Sequence, residues 1–256
     1  MRPTNFTVTS NGYKSSMIQD QNFIIADENG FRGSDLDSYL AAGYYRMQHS
    51  LFTTNFTQID ILKPPLPVFW LRTPVKNIIE NKAVIALRKK CSAFKTTYKK
   101  ATITREVDDL YEKYRQHITF EAGESCDSYL HDSYFPNPFN AWMIEVHDND
   151  ILIAVGYFDI GKNTLAGILN FYHPAYKKYS LGKYLMLLKI DCALANDIEF
   201  YYTGYISTDT NKFDYKIFPD AKAIEVLLHR ERQWVNYNLV GKDGLKAYVE
   251  NKLFLY

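Results

Sequence analysis

The apolar run Ile151–Phe158 ends at a carboxylate, Asp159, and this residue points to acid–base chemistry. A carboxylate at the end of a central strand can reach a cleft where a sheet opens, and there it can orient or deprotonate a bound group. The same residue begins the sequence Asp159-Ile160-Gly161, which is typical of a turn that closes a hairpin. From these residues alone, both interpretations of Asp159 stay open.

A second candidate site lies at a predicted helix start, where Ser180 and Gly182 stand at the beginning of segment 181–196. The first backbone N–H groups of a helix have no partner inside the helix, so they favour an anion. Serine is also a preferred N-cap residue, and Ser180 can serve only that structural purpose. The two interpretations are compatible.

Tyrosines and lysines form a third group of candidates. The chain contains 21 tyrosines, which is consistent with a tyrosine-rich core. Aromatic stacking on a nucleobase stabilises a complex by about 1–3 kcal/mol. We expect two of four tyrosines to line a site, the four being Tyr172, Tyr202, Tyr205 and Tyr215. Lys212 and Lys216 lie four residues apart and either hold an anion or belong to a solvated face.

Segment 88–100 contains six basic residues and no acidic residue: Arg88, Lys89, Lys90, Lys95, Lys99 and Lys100. Phe94 and Tyr98 stand among them. A basic patch interleaved with stacking groups is typical of a surface that contacts an RNA backbone, although a charge run is also typical of a solvated helix face. The formal net charge is only +1, so any such contact must be local.

The sequence argues against a metal, a cofactor and a membrane. Cys91, Cys126 and Cys192 stand far apart without a CxxC pair, and the six histidines show no ligand spacing. The first ten residues lack the apolar run of a signal peptide, and no segment reaches the length of a membrane span. We therefore expect a soluble cytoplasmic protein in a reducing compartment, with no metal and no cofactor.

The first half of the chain predicts short elements. We expect a strand at 23–25, a helix at 35–40 that Gly43 stops, a hairpin within 44–62 and a strand at 68–72. Segment 77–100 predicts a helix or helix pair that ends in the basic run. The apolar spacing of residues 105–114 is helical, and a further short helix is expected at 127–133.

From residue 141 onward the pattern changes to a strand meander. Apolar runs at 141–146, 151–158 and 165–171 are followed by a helical stripe at 181–196 and a strand at 200–206. This β-β-β-α-β order is what an acyltransferase core of the GNAT fold shows, and other α+β folds share it. We predict an α+β protein with a GNAT-like domain over residues 77–256, packed on a smaller α+β domain over residues 1–76.

Five ordered pieces in residues 141–228 resemble the C-terminal domain of arginyl-tRNA–protein and bacterial leucyl-tRNA–protein transferases. The pieces are Asp159, Phe171-Tyr172-His173-Pro174, Ser180-Leu181-Gly182-Lys183-Tyr184, Tyr201-Tyr202-Thr203-Gly204-Tyr205-Ile206 and Lys212-Phe213-Asp214-Tyr215-Lys216-Ile217-Phe218-Pro219. The last two are slightly shorter than the family forms. Any single piece is weak, and their common order and spacing carry the resemblance.

The N-terminal half resembles the same family more faintly, in residues 39–46 and 66–75. Two features differ from the family pattern. Residues 47–66 contain no cysteine, whereas the family often has a metal-binding or iron–sulfur cysteine cluster there. The family's Arg-Arg pair is replaced by Tyr45 followed by Arg46, which leaves one basic residue for recognition of the acceptor.

The resemblance implies transfer of an amino acid from aminoacyl-tRNA to the N-terminal α-amine of a protein or peptide, with neither DNA nor a membrane as partner. It implies Asp159 and Tyr205 as catalytic residues and tRNA contacts by Lys89, Lys90, Lys95, Lys99 and Lys100. It implies substrate contacts by Arg46, Tyr172, Ser180, Gly182, Tyr202, Gly204, Lys212, Tyr215 and Lys216. One alternative is an acyl-CoA-dependent N-acyltransferase, disfavoured because Tyr184 would crowd a pyrophosphate. The other is a non-catalytic module that binds N-termini.

Overall fold

A large mixed sheet organises the protein in this computed structural model, which describes residues 22–59, 62–119, 122–130 and 136–253. A small separate sheet has the order β1-β3-β2 and consists of β1 (Asn22–Ile25), β2 (Tyr45–Met47) and β3 (Ser50–Thr53). The large sheet has the order β12-β11-β5-β10-β9-β8-β7-β6, with β4 beside β5. Its strands are β4 (Phe56–Thr57), β5 (Leu66–Pro74), β6 (Lys95–Lys100), β7 (Ala141–Asp148), β8 (Ile151–Ile160), β9 (Thr164–Tyr172), β10 (Phe200–Ser207), β11 (Glu225–Leu228) and β12 (Gln233–Asn236).

Helices cover both faces of the large sheet. They are α1 (Gly33–Ala41), α2 (Lys82–Cys91), α3 (Arg105–Arg115), α4 (Asp127–Leu130), α5 (Leu181–Ala195) and α6 (Tyr237–Leu253), the last kinked at Gly241. Neighbouring residues of β7 show the two faces, because Ile144 packs with α2 and α5 whereas Met143 packs with α3. None of the described helices combines the length and the apolarity needed to cross a bilayer.

The predicted order β-β-β-α-β is confirmed by β7, β8, β9, α5 and β10. The first three strands form an antiparallel meander, and α5 connects β9 to β10, which runs parallel to it. The residues of β8 from Leu152 to Asp159 are all buried, since this strand lies between helices on both faces. The α+β class with a large mixed sheet is therefore confirmed.

Strands β9 and β10 pair over only three residues, from Thr164↔Phe200 to Ala166↔Tyr202. The pairing of β10 with β5 shifts register between Tyr202 and Gly204, and β10 then continues along β5 to Ser207. Beyond Ala166 the two parallel strands part. Because parted strands leave backbone groups unpaired, this position is suited to receive other groups.

The described residues between 22 and 74 are joined to the large sheet through β5, which pairs with β10 on one side and β11 on the other. The predicted division at residue 76 stays a prediction. Within this region, α1 ends before Gly43 as expected, and β2 and β3 form the expected hairpin. Residues 60 and 61 of the predicted hairpin segment lie outside the described residues.

The prediction of a helix or helix pair through residue 100 is wrong for its last part. Only α2 is helical there, and Lys95–Lys100 is the edge strand β6, paired antiparallel with β7. Thr96, Thr97 and Tyr98 favour a strand, and β7 offers an unpaired edge. Lysines on an edge strand also oppose pairing with another chain. The helix predicted at 105–114 is confirmed, whereas residues 131–133 of the other predicted helix are not described.

Two glycines, at and just before the start of α1, have positive φ angles, and substituting them tests how the chain is held there. Gly30 (φ 69°) lies against residue 138, so that a Cβ there would be 2.4 Å from the Pro138 carbonyl oxygen. Gly33 (φ 52°) has open space around it. We expect Gly33→Ala to cost about 1–2 kcal/mol of unfolding free energy through backbone strain alone. Gly30→Ala adds a backbone clash, and we expect a loss larger by about 1–3 kcal/mol. Urea unfolding of both variants measures the difference, and equal losses would contradict the close contact with Pro138.

Candidate active site

Arg46 and Asp159 were predicted from separate segments, and the structure brings them together. Arg46 Nη1 lies 2.8 Å from Asp159 Oδ1, and the two side chains are 2% and 1% exposed. Asp159 lies inside β8, opposite Ala141 of β7 and Ala166 of β9. The interpretation of Asp159 as a turn residue is therefore wrong, and its carboxylate holds the β2–β3 hairpin.

The guanidinium of Arg46 is fully engaged inside the protein. Its Nε donates to the Gln48 carbonyl oxygen (2.7 Å), and its Nη2 donates to the Leu130 carbonyl oxygen (2.8 Å). The guanidinium carbon lies 4.3 Å from the centre of the Phe139 ring. Arg46 thus joins β2, α4 and β8 below the surface, and in this arrangement no nitrogen of it is left for a substrate.

Burial governs the ionisation of Asp159. It raises the pKa of Asp159, while the charges of Arg46 and Lys189 oppose the rise. Among the described residues, Asp159 Oδ2 has no hydrogen-bond partner. Lys189 of α5 is fully buried and donates from Nζ to the Tyr157 carbonyl oxygen (2.8 Å) and to Asn170 Oδ1 (2.7 Å). Burial lowers the pKa of Lys189 to about 7, against the attraction of Asp159.

Tyr45, the neighbour of Arg46, stands where β9 and β10 part. Its hydroxyl lies 2.6 Å from the Gly167 carbonyl oxygen and 2.9 Å from the Tyr202 carbonyl oxygen, one on each strand. Its ring stacks on Trp70 with the ring centres 5.1 Å apart. Sequence reasoning treated Tyr45 only as the loss of an arginine, because this role depends on strands far away in the chain.

The four predicted tyrosines divide into one core residue and three that reach the surface. Tyr202 is buried, and its ring meets Trp234 edge-on at 5.8 Å. Tyr205 is half-buried, with its hydroxyl 3.1 Å from Thr57 Oγ1 and its ring 5.2 Å from Trp70. Tyr172 is half-buried and Tyr215 is 52% exposed. The core interpretation therefore fits Tyr202.

Tyr172 and Tyr215 come from separate motif pieces, and both lie near Tyr114 of α3. The rings of Tyr114 and Tyr172 are 5.5 Å apart. Burial first, and then the neighbouring hydroxyls of Tyr172 and Tyr215, raise the pKa of Tyr114 to about 12. Tyr215 also raises the pKa of the buried Tyr201 of β10, after burial itself. A tyrosine cluster thus lies at the opening between β9 and β10, and sequence reasoning missed Tyr114 and Tyr201.

The two predicted lysines after β10 have different surroundings. Lys212 is exposed, with its Nζ 6.0 Å from the centre of the Phe213 ring. Lys216 is half-buried, and its Nζ lies 4.7 Å from the centre of the Tyr205 ring and 5.2 Å from that of Phe213. The solvated-face interpretation fits Lys212 and does not fit Lys216.

At the start of α5, Ser180 adopts a left-handed conformation (φ 54°), and its side chain makes no capping hydrogen bond. Ser180 is therefore at the N-cap position of α5, as predicted, but its hydroxyl does not cap the helix. A Cβ on Gly182 would approach only Tyr172, at 3.7 Å, so Gly182 links this helix start to the tyrosine cluster. Tyr184 is buried in the core, which corrects the expectation that it crowds a phosphate at the helix start.

The basic run does not form one surface. Lys99 pairs with Glu145 (2.7 Å), while its neighbour on β6, Lys100, binds Asn140 and lies over the Trp142 ring. Successive residues of a strand face opposite sides of the sheet, so these two lysines diverge. Lys95 shares the face of Lys99, and Lys89 and Lys90 belong to α2. The predicted tRNA-binding set is therefore divided among three places.

A different basic group surrounds the start of α5. Lys90 Nζ binds the Lys178 carbonyl oxygen, and the ammonium groups of both residues lie over the Tyr179 ring. Nearby acidic groups are already paired, since Arg88 binds Glu80 and Asp191. Four exposed lysines make up this group, here termed the α5-end lysines: Lys90, Lys177, Lys178 and Lys183. The pair Lys177-Lys178 before the predicted helix start was the sequence signal for it.

Comparison with known proteins finds similarity to one family of transferases. Residues 106–221 match the family model described as "Arginine-tRNA-protein transferase, C terminus". An aspartate/glutamate leucyltransferase of Shewanella sp. (strain MR-4) is 26% identical over 204 residues, covering 77% of this chain and 81% of the relative. One from Pseudomonas putida (strain W619) is 28% identical over 170 residues, covering 65% and 70%. Over residues 106–221 this chain therefore resembles the aminoacyl-tRNA–protein transferases.

The stretch that matches the transferase family model contains Asp159, Tyr205 and Lys216, whereas Tyr45 and Arg46 precede it. Two solved structures are similar at a low level. The C-terminal domain (DUF2156) of a lysylphosphatidylglycerol synthetase from Agrobacterium fabrum has a TM-score of 0.43 and 9% identity, covering 56% of this chain and 48% of that one. The structure of L-PGS from Bacillus licheniformis has a TM-score of 0.39, 12% identity and coverages of 68% and 52%. This chain spans about half the length of each, and TM-scores this low carry no argument.

A double-mutant cycle tests the buried pair. Arg46→Met leaves the Asp159 carboxylate buried without its counter-charge, and we expect a loss of about 3–5 kcal/mol of unfolding free energy at pH 7. Asp159→Asn should also destabilise. The double variant should lose less than the sum of the two, because neither uncompensated charge is left. Urea unfolding of the four proteins measures the coupling, and additive losses would contradict it.

The loss of stability caused by Arg46→Met has a predictable pH dependence. Arg46→Met removes an influence that lowers the pKa of Asp159, so the pKa in the folded variant rises further above the unfolded value of about 3.9. The penalty is complete above the folded pKa and disappears as the pH falls through it. The stability difference between Arg46→Met and wild type should therefore be largest at neutral pH and shrink as the pH falls, because the pKa of Asp159 is raised in the folded protein.

Proposed function

We propose that this chain transfers an aminoacyl group from an aminoacyl-tRNA to the N-terminal α-amine of a protein or peptide. Its similarity to aminoacyl-tRNA–protein transferases supports this reaction. The observation that carries the proposal is the meeting of Tyr172, Tyr205 and Tyr215–Lys216, from three separate motif pieces, around the opening between β9 and β10. We further propose that β7–β10 and α5 form a GNAT-like core, with residues 1–76 as a smaller unit on it.

The reaction depends mainly on the positioning of its two substrates. The aminoacyl ester is already activated, and an α-amine with a pKa of about 7.7–8.0 has a useful neutral fraction near pH 7. Holding two substrates in a reactive orientation can supply about 7–11 kcal/mol of the barrier reduction. A tyrosine-lined cleft can stack the terminal adenosine of the tRNA and orient the ester.

We propose separate roles for the two residues predicted to be catalytic. Asp159 has no exposed surface and is held by Arg46, which fits a positioning residue that fixes the β2–β3 hairpin. Tyr205 reaches the opening, and its phenol can contact the reacting groups. Gly204, Tyr202 and Tyr45 would then shape the opening from below, and Ser180 and Gly182 would hold a phosphate of the tRNA end.

The relatives' names guide the choice of substrates. The curated relatives are named for leucyl transfer to aspartate or glutamate, and the family model is named for arginine. We propose an acceptor with an acidic N-terminal residue, because Lys212 and Lys216 supply positive charge near the tyrosine cluster. For the donor, leucyl-tRNA and arginyl-tRNA are the two candidates to compare.

The decisive assay uses purified protein, separately charged leucyl- and arginyl-tRNA, and peptides that begin with Asp, Glu or Ala. We expect mass spectrometry to find a peptide extended by one residue, for the acidic peptides only. Acetyl-CoA in place of tRNA tests the acyl-CoA alternative. This arm is needed because Tyr184 is buried and therefore does not crowd a pyrophosphate. Peptide acetylation, or peptide binding without any transfer, would contradict the proposal.

The α5-end lysines are the proposed contact with the tRNA backbone, in place of the divided basic run. Lys178→Glu should weaken tRNA binding and lower the salt dependence of the affinity by about one phosphate contact. Lys95→Glu makes the same charge change on the exposed edge strand β6 and serves as the matched control. Filter binding at several salt concentrations measures both. Equal effects of the two changes would contradict this surface.

A further inference from the structure

Lys216 is held in an aromatic cage beside the opening between β9 and β10. Its Nζ lies 4.7 Å from the centre of the Tyr205 ring, 5.2 Å from that of Phe213 and 6.0 Å from that of Tyr215. The cage is closed below by Gly204 of β10, where a Cβ would lie only 2.8 Å from Nζ. The bare Cα of Gly204 therefore leaves the space that the ammonium group occupies.

Within the residues that the structure describes, no carboxylate, carbonyl or hydroxyl accepts a hydrogen bond from Lys216 Nζ. Two other lysines with restricted exposure differ in this respect. Lys189 donates to a carbonyl oxygen and to an amide oxygen, and Lys242 donates to Asp214 and two further oxygens. Because a shielded ammonium group normally has acceptors, an amine without them is suited to exchange protons with a ligand.

Among the described residues, no carboxylate forms an ion pair with Lys216. The titratable side chains near it are Tyr205 on β10 and Lys212, Asp214 and Tyr215 on its own segment. The one carboxylate in this set, Asp214, lies 2.7 Å from Lys242 and is paired with it. Burial lowers the pKa of Lys216 to about 8. This value is close to that of a peptide α-amine, about 7.7–8.0, so a proton can pass between the two with little free-energy difference.

We propose that Lys216 is a catalytic residue that accepts the proton of the attacking α-amine and returns it to the departing ribose oxygen. This inference rests on the proposed aminoacyl transfer. The amine nitrogen forms a bond to the ester carbonyl carbon and gives one proton to the neutral Lys216 amine. As the tetrahedral intermediate collapses, the C–O bond to the ribose breaks, and the leaving oxygen takes that proton from the Lys216 ammonium. The products are the amide and the free ribose hydroxyl, with Lys216 restored.

Alternative bases for this step are less suitable. The Asp159 carboxylate is fully buried and hydrogen-bonded to Arg46, so an incoming amine does not reach it. Lys189 is fully buried and has two acceptors. Lys216 is the amine in this set that is both partly accessible and without an acceptor.

The test separates proton transfer from the binding of a negative charge. Lys216→Arg keeps the positive charge but hardly loses a proton, because the pKa of arginine exceeds about 12. We expect this variant to keep a KM for the acidic peptide within about threefold and to lose about 10²–10⁴-fold in kcat. Lys216→Met should lose the same in kcat and also raise KM. Lys246→Met, an exposed lysine of α6, is the control and should match wild type.

A pH profile of the wild type supplies a second readout that no folding defect can mimic. The acceptor is an N-acetylated peptide hydrazide, in which the blocked α-amine cannot react and the terminal hydrazide nitrogen stays unprotonated from about pH 6 to pH 9, so that the nucleophile does not titrate. We expect kcat to rise with pH and to level off above about pH 8, and Lys216→Arg to lack this inflection.

The possible outcomes distinguish the inference from the proposed function. A Lys216→Arg variant with wild-type kcat would overturn the inference while leaving the transfer reaction intact. A flat wild-type profile with the hydrazide would do the same. A wild type that transfers nothing from either charged tRNA would overturn the proposed function itself, and with it the role of Lys216.

Discussion

The ion pair between Arg46 and Asp159 is the interaction on which the arrangement of the site depends. Removing two charges from water costs several kcal/mol for each ion, and only good geometry with further hydrogen bonds compensates this. The chain meets the requirement by engaging all three guanidinium nitrogens of Arg46, with acceptors on β8, α4 and the hairpin itself. The β2–β3 hairpin is therefore held at one position on the sheet, and the residue before Arg46, Tyr45, is held with it.

Tyr45 links the fixed hairpin to the opening between β9 and β10. Its hydroxyl lies between carbonyl oxygens of two parallel strands that pair over only three residues. Around that opening the chain arranges a buried polar layer, which includes Asp159 and Lys189, and an accessible layer of tyrosines with Lys216. The buried layer fits a positioning role and the accessible layer fits contact with substrates. Both are what a reaction that depends mainly on orientation needs.

Two lysines illustrate how the same physical effect serves different purposes. Burial lowers the pKa of Lys189 to about 7 and that of Lys216 to about 8. Lys189 has two oxygen acceptors and the Asp159 carboxylate nearby. Its positive charge therefore compensates that carboxylate and stabilises the buried part of the site. Lys216 is surrounded by aromatic rings. These rings attract a cation, but they do not accept hydrogen bonds of ordinary strength from it. The difference between them lies in their partners and not in the shift.

The sequence by itself determined the elements from β7 to β10, because strand alternation, turn residues and the stripe of α5 are local signals. It also determined the motif pieces that contain Asp159, Tyr205 and Lys216, and with them the resemblance to aminoacyl-tRNA–protein transferases. It failed for β6, because the basic run expected to be helical pairs with the edge of the sheet as a strand. It also failed for Tyr184, whose side chain is buried in the core. Only the tertiary structure decided that Arg46 meets Asp159 and that Tyr45 separates two strands. Those contacts join residues more than a hundred positions apart, and no local pattern of side chains records which distant group will satisfy a buried charge or hydroxyl.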